Sequence, residues 1–282
     1  MKQITLGSTG ITSPQNAFGA LPIQRVDMDT AVHILRRAYE GGITFFDTAR
    51  AYSDSEEKLG AAFCGMREKI FIATKTMPKT PEVFSRQLDQ SLHNLRTDYI
   101  DIYQFHCADR CFAPGDGTGM YECMQEAKAQ GKIRHIGITA HKIGVAKEAV
   151  ASGLYETLQF PFSYLSSKKE EDLVQGCINN NMGFIAMKGL AGGLITHSRA
   201  AMAYMLQFDN VLPIWGIQRI DELEEWLAFM QEEPELDDEL KAFIETERRE
   251  LAFDFCRGCG YCMPCPSGIM INQCARMSLM LR

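Results

Sequence analysis

Apolar positions along this chain fall into two alternating patterns. The first is short, continuous and rich in β-branched or aromatic residues: Ile43 to Phe46, Ile70 to Thr74, Asp101 to Phe105, Ile133 to Thr139, Thr157 to Phe160, Gly183 to Met187 and Val211 to Ile214. Runs of this length and character suit strands buried on both faces, as in a parallel sheet. The second pattern is helical, as over Asp29 to Tyr39, where Ala31, Ile34, Leu35 and Ala38 share one stripe. Helices are likewise expected over Ser55 to Phe63, Pro81 to Leu95, Met120 to Gln130, Gly144 to Ser152, Glu170 to Asn180, Ser198 to Phe208 and Asp221 to Gln231. Gly41-Gly42 and Gly131 end two of these, and Pro81 opens another where its missing N–H costs nothing.

The strand-like runs end near positions 47, 75, 106, 139, 160, 188 and 216. A helix follows each strand, which predicts a parallel α/β architecture, and seven regular units favour a closed (β/α)8 TIM barrel over an open sheet. A first barrel strand is placed at Asn16 to Phe18, ahead of Gly19, Ala20 and Leu21. Before it, Gln3 to Leu6 and Gly10 to Thr12 form a hairpin turned at Gly7-Ser8-Thr9-Gly10, which could plug the bottom of the barrel. The length of 282 residues accommodates a barrel of ~250 residues with an appendage.

The barrel expectation gives certain polar residues a meaning. The chemistry of such barrels sits where strands end. Asp47 closes one run and Tyr52 follows it by one short loop; Lys75 and His106 close the next two. Each alone reads most simply as an exposed strand-end group, but four in matching positions, one βα unit of ~30 residues apart, converge on one rim. The loop after His106, with Pro114, Gly115, Gly117 and Gly119, is long enough to build a substrate pocket. Leu21, Tyr52, Cys107 and Phe112 would make that pocket partly apolar.

Composition narrows the class. Hydrophobic residues at 46% and charged residues at 23% are those of a globular protein with a sizeable core. A net charge of -7 without a basic stripe argues against a nucleic-acid surface. The opening MKQITLGSTGITS lacks the apolar core of a signal peptide, and no stretch approaches the ~18 apolar residues of a membrane span, so a cytoplasmic location is expected.

Ten cysteines are present, and five of them, Cys256, Cys259, Cys262, Cys265 and Cys274, crowd the end of the chain. The string CRGCGYCMPCP spaces three as C-x2-C-x2-C, able to wrap one face of a [4Fe-4S] cubane, with a fourth before proline as in bacterial ferredoxins. Cys265 follows after two residues instead of three, which leaves Cys274 a rival fourth ligand. Zinc is the plain alternative, although ribbon sites separate their cysteine pairs by ~15 residues. These features divide the chain into a barrel over 1–248 and an iron-sulfur segment over 249–282.

At this point the chain resembles the aldo-keto reductase family, in its bacterial branch with a carboxy-terminal iron-sulfur motif. The resemblance rests on FFDTARAY with Asp47 and Tyr52, IATK with Lys75, YQFH with His106, GKIRHIGIT from Gly131 to Thr139, and MKGLAGG from Met187 to Gly193. It implies hydride transfer from NADPH or NADH to a small carbonyl substrate. Tyr52 would donate the proton, Lys75 would lower the phenol's pKa, Asp47 would hold Lys75 as an ion pair, and His106 would orient the carbonyl oxygen. Thr139 and Gln159 would hold the nicotinamide carboxamide, although Ala140 and Ser163 stand where similar proteins show Ser and Asn. Lys188, Gly189 and Leu190 would line the pyrophosphate path; Gly216, Gln218 and Arg219 would meet the adenosine end. Glu222, Glu224 and Glu225 follow with no clear basic pair for a 2′-phosphate, so NAD and NADP both stay open. Among the cluster ligands the resemblance favours Cys265. A cubane passes one electron and a hydride carries two, so redox coupling between them would need a flavin or a redox partner protein. No flavin motif is visible, and a structural staple is the simpler expectation. A nicotinamide-sensing or electron-transfer protein with a catalytically slow barrel is the alternative.

Overall fold

The computed structural model describes residues 1–251, 265–275 and 277 of the chain. Eight parallel strands close into a barrel: β3 (Ala17–Gly19), β4 (Phe45–Asp47), β5 (Phe71–Thr76), β6 (Ile100–Phe105), β7 (Ile133–Thr139), β8 (Thr157–Pro161), β9 (Gly183–Met187) and β10 (Val211–Gly216), with β10 pairing back onto β3. Strands β7 and β9 match the runs that predict them, and the other strand boundaries depart by two residues at most. Chain order equals spatial order around the barrel, as single βα steps require.

The helices form the outer ring: α1 (Met28–Glu40), α2 (Ser55–Ala62), α3 (Pro81–Leu95), α4 (Met120–Ala129), α5 (Ile143–Ser152), α6 (Lys168–Asn179), α7 (Ser198–Met205) and α8 (Ile220–Gln231). Local chemistry sets their starts. The Asp27 side chain accepts from Thr30 N ahead of α1, Thr80 caps α3 before Pro81, and Ser167 with Glu170 forms a reciprocal capping box on α6. Helix α7 stops at Met205, short of the expected Phe208. There Phe208 turns inward to pack on Phe162 and Tyr204, and the carbonyls of Met205 and Phe208 are held by the buried amide of Gln15.

The hairpin β1 (Gln3–Thr5) and β2 (Thr12–Pro14) is antiparallel and lies at the amino-terminal end of the barrel. Ile4, Leu6 and Ile11 are buried with Phe45, Ile102, Ile185 and Leu212, so the hairpin closes the lower mouth with apolar side chains. Gly7 sits at φ +50°, and a Cβ there would lie 2.4 Å from the Gly183 nitrogen; only glycine lets the turn come this close to β9. Upward from this plug the barrel interior changes from an apolar layer to a polar one, which is where the candidate chemistry lies.

Two helices were not foreseen: α9 (Asp238–Leu251) and the short α10 (Ile271–Cys274). Helix α9 runs through position 248, where the sequence placed a domain division. Its Leu240, Ile244 and Leu251 are buried, and Arg248 donates from Nε to the Tyr164 carbonyl at 2.5 Å, on the loop beyond β8. The helix therefore returns the chain to the carboxyl face of the barrel. Among the described residues no helix is long and apolar enough to cross a membrane.

Candidate active site

The end of β4 delivers Asp47 and the end of β5 delivers Lys75 to the barrel interior, exposed by only 2% and 1%. Lys75 Nζ lies 2.6 Å from Asp47 Oδ2 and donates a second hydrogen bond to the Thr48 carbonyl at 2.5 Å. Burial pulls the Lys75 ammonium down and pushes the Asp47 carboxyl up. At Lys75 burial is the largest single influence, but Asp47, Tyr52 and Cys107 together outweigh it and hold the pKa above its ordinary value; at Asp47 burial prevails over the ammonium. Lys75 Nζ thus donates to both Asp47 Oδ2 and the Thr48 carbonyl, and with its pKa held above the ordinary value the amine stays protonated; we take the pair as charged.

A chain of amides extends this pair across the interior. Gln104 Nε2 donates to Gln159 Oε1 at 2.9 Å, and Gln159 Nε2 reaches Asp47 Oδ2 at 3.5 Å. Gly137 makes the crossing possible. It stands between Gln104 and Thr157 in the strand register, and a Cβ there would fall 2.4 Å from Thr157 Oγ1 and 2.9 Å from Gln104 Cγ. The space a side chain would occupy is filled by Gln104.

Above the pair stands Tyr52, its ring centroid 5.1 Å from Lys75 Nζ and 5.6 Å from the His106 ring in an edge-to-face arrangement. Burial raises the Tyr52 pKa and the Lys75 charge opposes the rise without overcoming it, so the phenol stays protonated at neutral pH. Lys75 thus pulls the pKa down in the expected direction, and burial outweighs that pull. His106 is pushed down to about 3 by burial, then by the charge of Lys75 and by His141, and is a neutral imidazole at physiological pH. His141 is pushed down to about 4 by burial and by Lys188.

These groups line one cavity of about 660 Å³ at the carboxyl mouth of the barrel. Its walls include all four expected catalytic residues together with Thr139, Gln159, Lys188, Gly189, Leu190 and Gly216. Thr139 Oγ1 accepts from Cys107 N at 2.7 Å and thereby holds Cys107 at φ 50°. Lys188 and Ala191 are also non-glycine residues at positive φ, so several unfavourable backbone conformations gather around this mouth, as they do at functional sites.

The other expected residues fall elsewhere or outside the described residues. Gln218 and Arg219 lie outside the cavity wall, in a separate groove between α1 and the start of α8. Phe112 does not line the cavity; it packs at 4.5 Å on Phe105, and its carbonyl accepts from Tyr155 Oη at 2.6 Å. Of the expected cluster ligands, Cys256, Cys259 and Cys262 lie outside the described residues, whereas Cys265 is half-buried and Cys274 exposed. Among the described residues no group of three or more His, Cys, Asp or Glu is arranged to hold a metal ion.

Sequence reasoning missed Arg25, His141 and Trp215 as cavity residues. His141 and Trp215 do follow predicted strand ends within two positions, which was the available signal. Arg25 comes from a single 3-10 turn, Pro22–Arg25, that leaves no periodicity to read.

A closed eight-stranded βα barrel with a buried carboxylate–ammonium pair and a phenol at its carboxyl mouth is the architecture of a TIM-barrel enzyme. The family model described as the aldo/keto reductase family matches residues 3–227, and the chain belongs to that family. It is similar to aldo-keto reductase YhdN of Bacillus subtilis (strain 168), 31% identical over 215 residues that cover 70% of this chain and 64% of that protein. The chain thus spans just under two thirds of that relative. It is also similar to the NADH-specific methylglyoxal reductase of Escherichia coli (strain K12), 28% identical over 267 residues, 80% of each chain. A crystal structure of an aldo-keto reductase from Klebsiella pneumoniae in complex with NADPH superposes with a TM-score of 0.75 at 23% identity, covering 87% of this chain and 95% of that one, a likeness of fold.

Proposed function

We propose that the protein reduces a small aldehyde or ketone with a nicotinamide cofactor. The observation that carries the proposal is the single cavity in which Tyr52 and a neutral His106 stand over the buried Lys75–Asp47 pair. The residues present fit a dinucleotide. The cavity runs from Tyr52 past the glycine-rich turn Gly189 to Gly193, and Asp47, which lines it, keeps Oδ1 buried with no hydrogen-bond partner among the described residues.

When bound, a reduced nicotinamide supplies the hydride. The chain's residues handle the proton and the charge. The carbonyl oxygen gains the electron pair of the broken π bond and takes the proton carried on the Tyr52 hydroxyl. The phenolate that forms is stabilised by the Lys75 ammonium, which Asp47 keeps in place. His106, uncharged, offers the carbonyl oxygen a hydrogen bond without competing for the proton. Thr139 and Gln159 would meet the nicotinamide, Lys188, Gly189 and Leu190 the pyrophosphate, and Gly216 the adenosine end. Tyr52→Phe is expected to lower carbonyl-dependent oxidation of NADH or NADPH by at least ~100-fold while cofactor binding persists, the range of one general acid. Unchanged turnover would sink the assignment, and binding without turnover in the unaltered protein would move it to the sensing or electron-transfer alternative.

The tail carries a second part of the proposal. Cys256, Cys259, Cys262 and Cys265 would hold a [4Fe-4S] cluster, the set of four thiols at two-residue intervals being suited to it. Helix α9, anchored by Arg248 to the loop beyond β8, ends at Leu251, shortly before Cys256 in the sequence. The cluster acts as a staple for the tail, with no redox partner protein required. Anaerobically purified protein should contain about four irons and four sulfides per chain. A preparation without iron would remove the cluster and leave the barrel assignment standing, whereas unchanged stability on cluster removal together with lost electron exchange with a ferredoxin would overturn the staple.

A further inference from the structure

Three depressions adjoin the main cavity. One, at Phe162, Ser163, Lys188 and Ala191, holds about 30 Å³, far too little for a nucleoside, and a second, at Arg50, Lys75, Met77 and Gln87, holds about 260 Å³. The third, between α1 and the start of α8, holds about 620 Å³. It adjoins the cavity through Gln218, whose side-chain oxygen faces Arg25 Nη1 at 3.4 Å; Arg25 lines the cavity and Gln218 lines the groove. A dinucleotide with its nicotinamide at Tyr52 therefore has this groove as the space for its adenosine.

The groove is poorly equipped for a further phosphate. Helix starts ordinarily attract anions through unpaired N–H groups and a partial positive charge. Here the Gln218 and Arg219 nitrogens already donate to Glu222 Oε2, at 2.9 and 3.1 Å. Arg219 is the guanidinium on this wall, and it is engaged twice, by Asp221 at 3.0 Å and by Glu222 at 3.0 Å. Asp29 contributes another carboxylate from α1, with His33 beside it. One helical turn farther on, Arg37 is held by Glu224 at 2.6 and 2.8 Å. A dianionic phosphate placed here meets carboxylates and finds the Arg219 guanidinium and the N–H groups of Gln218 and Arg219 taken.

We propose that Asp221 and Glu222, by occupying the Arg219 guanidinium and the N–H groups of Gln218 and Arg219 just ahead of α8, make the protein select NADH over NADPH. The proposal rests on the nicotinamide-dependent reading of the cavity. Its test is equilibrium binding of NADH and of NADPH by calorimetry or tryptophan fluorescence, with 5′-AMP and 2′,5′-ADP as adenosine-end probes, on the full chain and on Asp221→Asn/Glu222→Gln and Arg219→Ala. NADH is expected to bind at least tenfold tighter than NADPH. The double substitution should shrink that ratio at least fivefold, and Arg219→Ala should change NADPH affinity less than twofold. Equal or tighter NADPH binding overturns the proposal. So does a ratio unmoved by the double substitution, or a tenfold loss of NADPH affinity in Arg219→Ala, which would show the guanidinium to be available. Failure of both dinucleotides to bind would instead refute the nicotinamide reading beneath it.

Discussion

Replacing Lys75 by Met tests the central ion pair most directly, because it keeps the length of the side chain and removes only the charge. Asp47 has two polar neighbours on Oδ2, Lys75 at 2.6 Å and Gln159 at 3.5 Å, and Oδ1 has no partner among the described residues. The 3.5 Å contact is at the outer limit of a hydrogen bond and compensates little. Without the ammonium a carboxylate stands almost alone at 2% exposure. Removing one partner of a buried pair costs ~3–5 kcal/mol, which lowers the melting temperature by roughly 6–20 °C in a domain of this size. The pH dependence carries the sharper signature. With Lys75 gone, Asp47 has a folded-state pKa raised above its unfolded value, so stability is greatest in acid and falls as pH rises above the ordinary carboxylate range. In Asp47→Leu the stranded Lys75 has its pKa depressed by burial, and stability rises with pH instead. The double variant Asp47→Leu/Lys75→Met buries no charge and should be markedly more stable than the sum of the two singles predicts. Thermal and urea unfolding of the three variants between pH 5 and 9 measures all of this. Additive losses, or pH slopes of the same sign in the two singles, would refute the charged, mutually dependent pair.

Two further outcomes are expected. Because burial, Lys75 and His141 push His106 down to about 3, the rate of carbonyl reduction between pH 5.5 and 8 should show no inflection from an imidazole; an inflection near pH 6.5 that vanishes in His106→Gln would contradict the neutral ring. Gly60, inside α2, faces α3 so closely that a Cβ would lie 2.1 Å from the Asn94 carbonyl oxygen, so Gly60→Ala should lose ~1–3 kcal/mol despite alanine's better helix propensity, and an unchanged or higher melting temperature would refute the close approach.

Much of this arrangement was legible because a barrel converts sequence periodicity into position. Once Phe45, Ile72 and Ile102 are read as strand residues, the polar groups that close those strands must share a rim, and Asp47, Lys75 and His106 do. The amide chain from Gln104 through Gln159 to Asp47 was not legible, since it depends on the register Gln104↔Gly137 and Thr139↔Gln159, set by the tilt of strands far apart in sequence. Helix α9 escaped for a different reason. Its buried residues are sparse on an otherwise charged surface, so the segment reads as a solvated linker, and its packing depends on Arg248 finding the Tyr164 carbonyl 84 positions away.

The vertical order of the barrel interior explains why the charged layer lies where it does. Below, the hairpin residues Ile4, Leu6 and Ile11 fill the mouth against Phe45, Ile102 and Leu212, and this apolar floor excludes water from the underside of Lys75. Above, the cavity opens toward Tyr52. A charge between an apolar floor and an open mouth is screened least toward the floor, where it meets only Asp47 and the Thr48 carbonyl, and its remaining influence falls on whatever occupies the mouth. That asymmetry lets one buried ammonium be held firmly by Asp47 and still stabilise a phenolate on Tyr52. A substitution that wets the floor, such as a polar residue at Ile102, should therefore weaken the site from beneath without touching any residue that lines it.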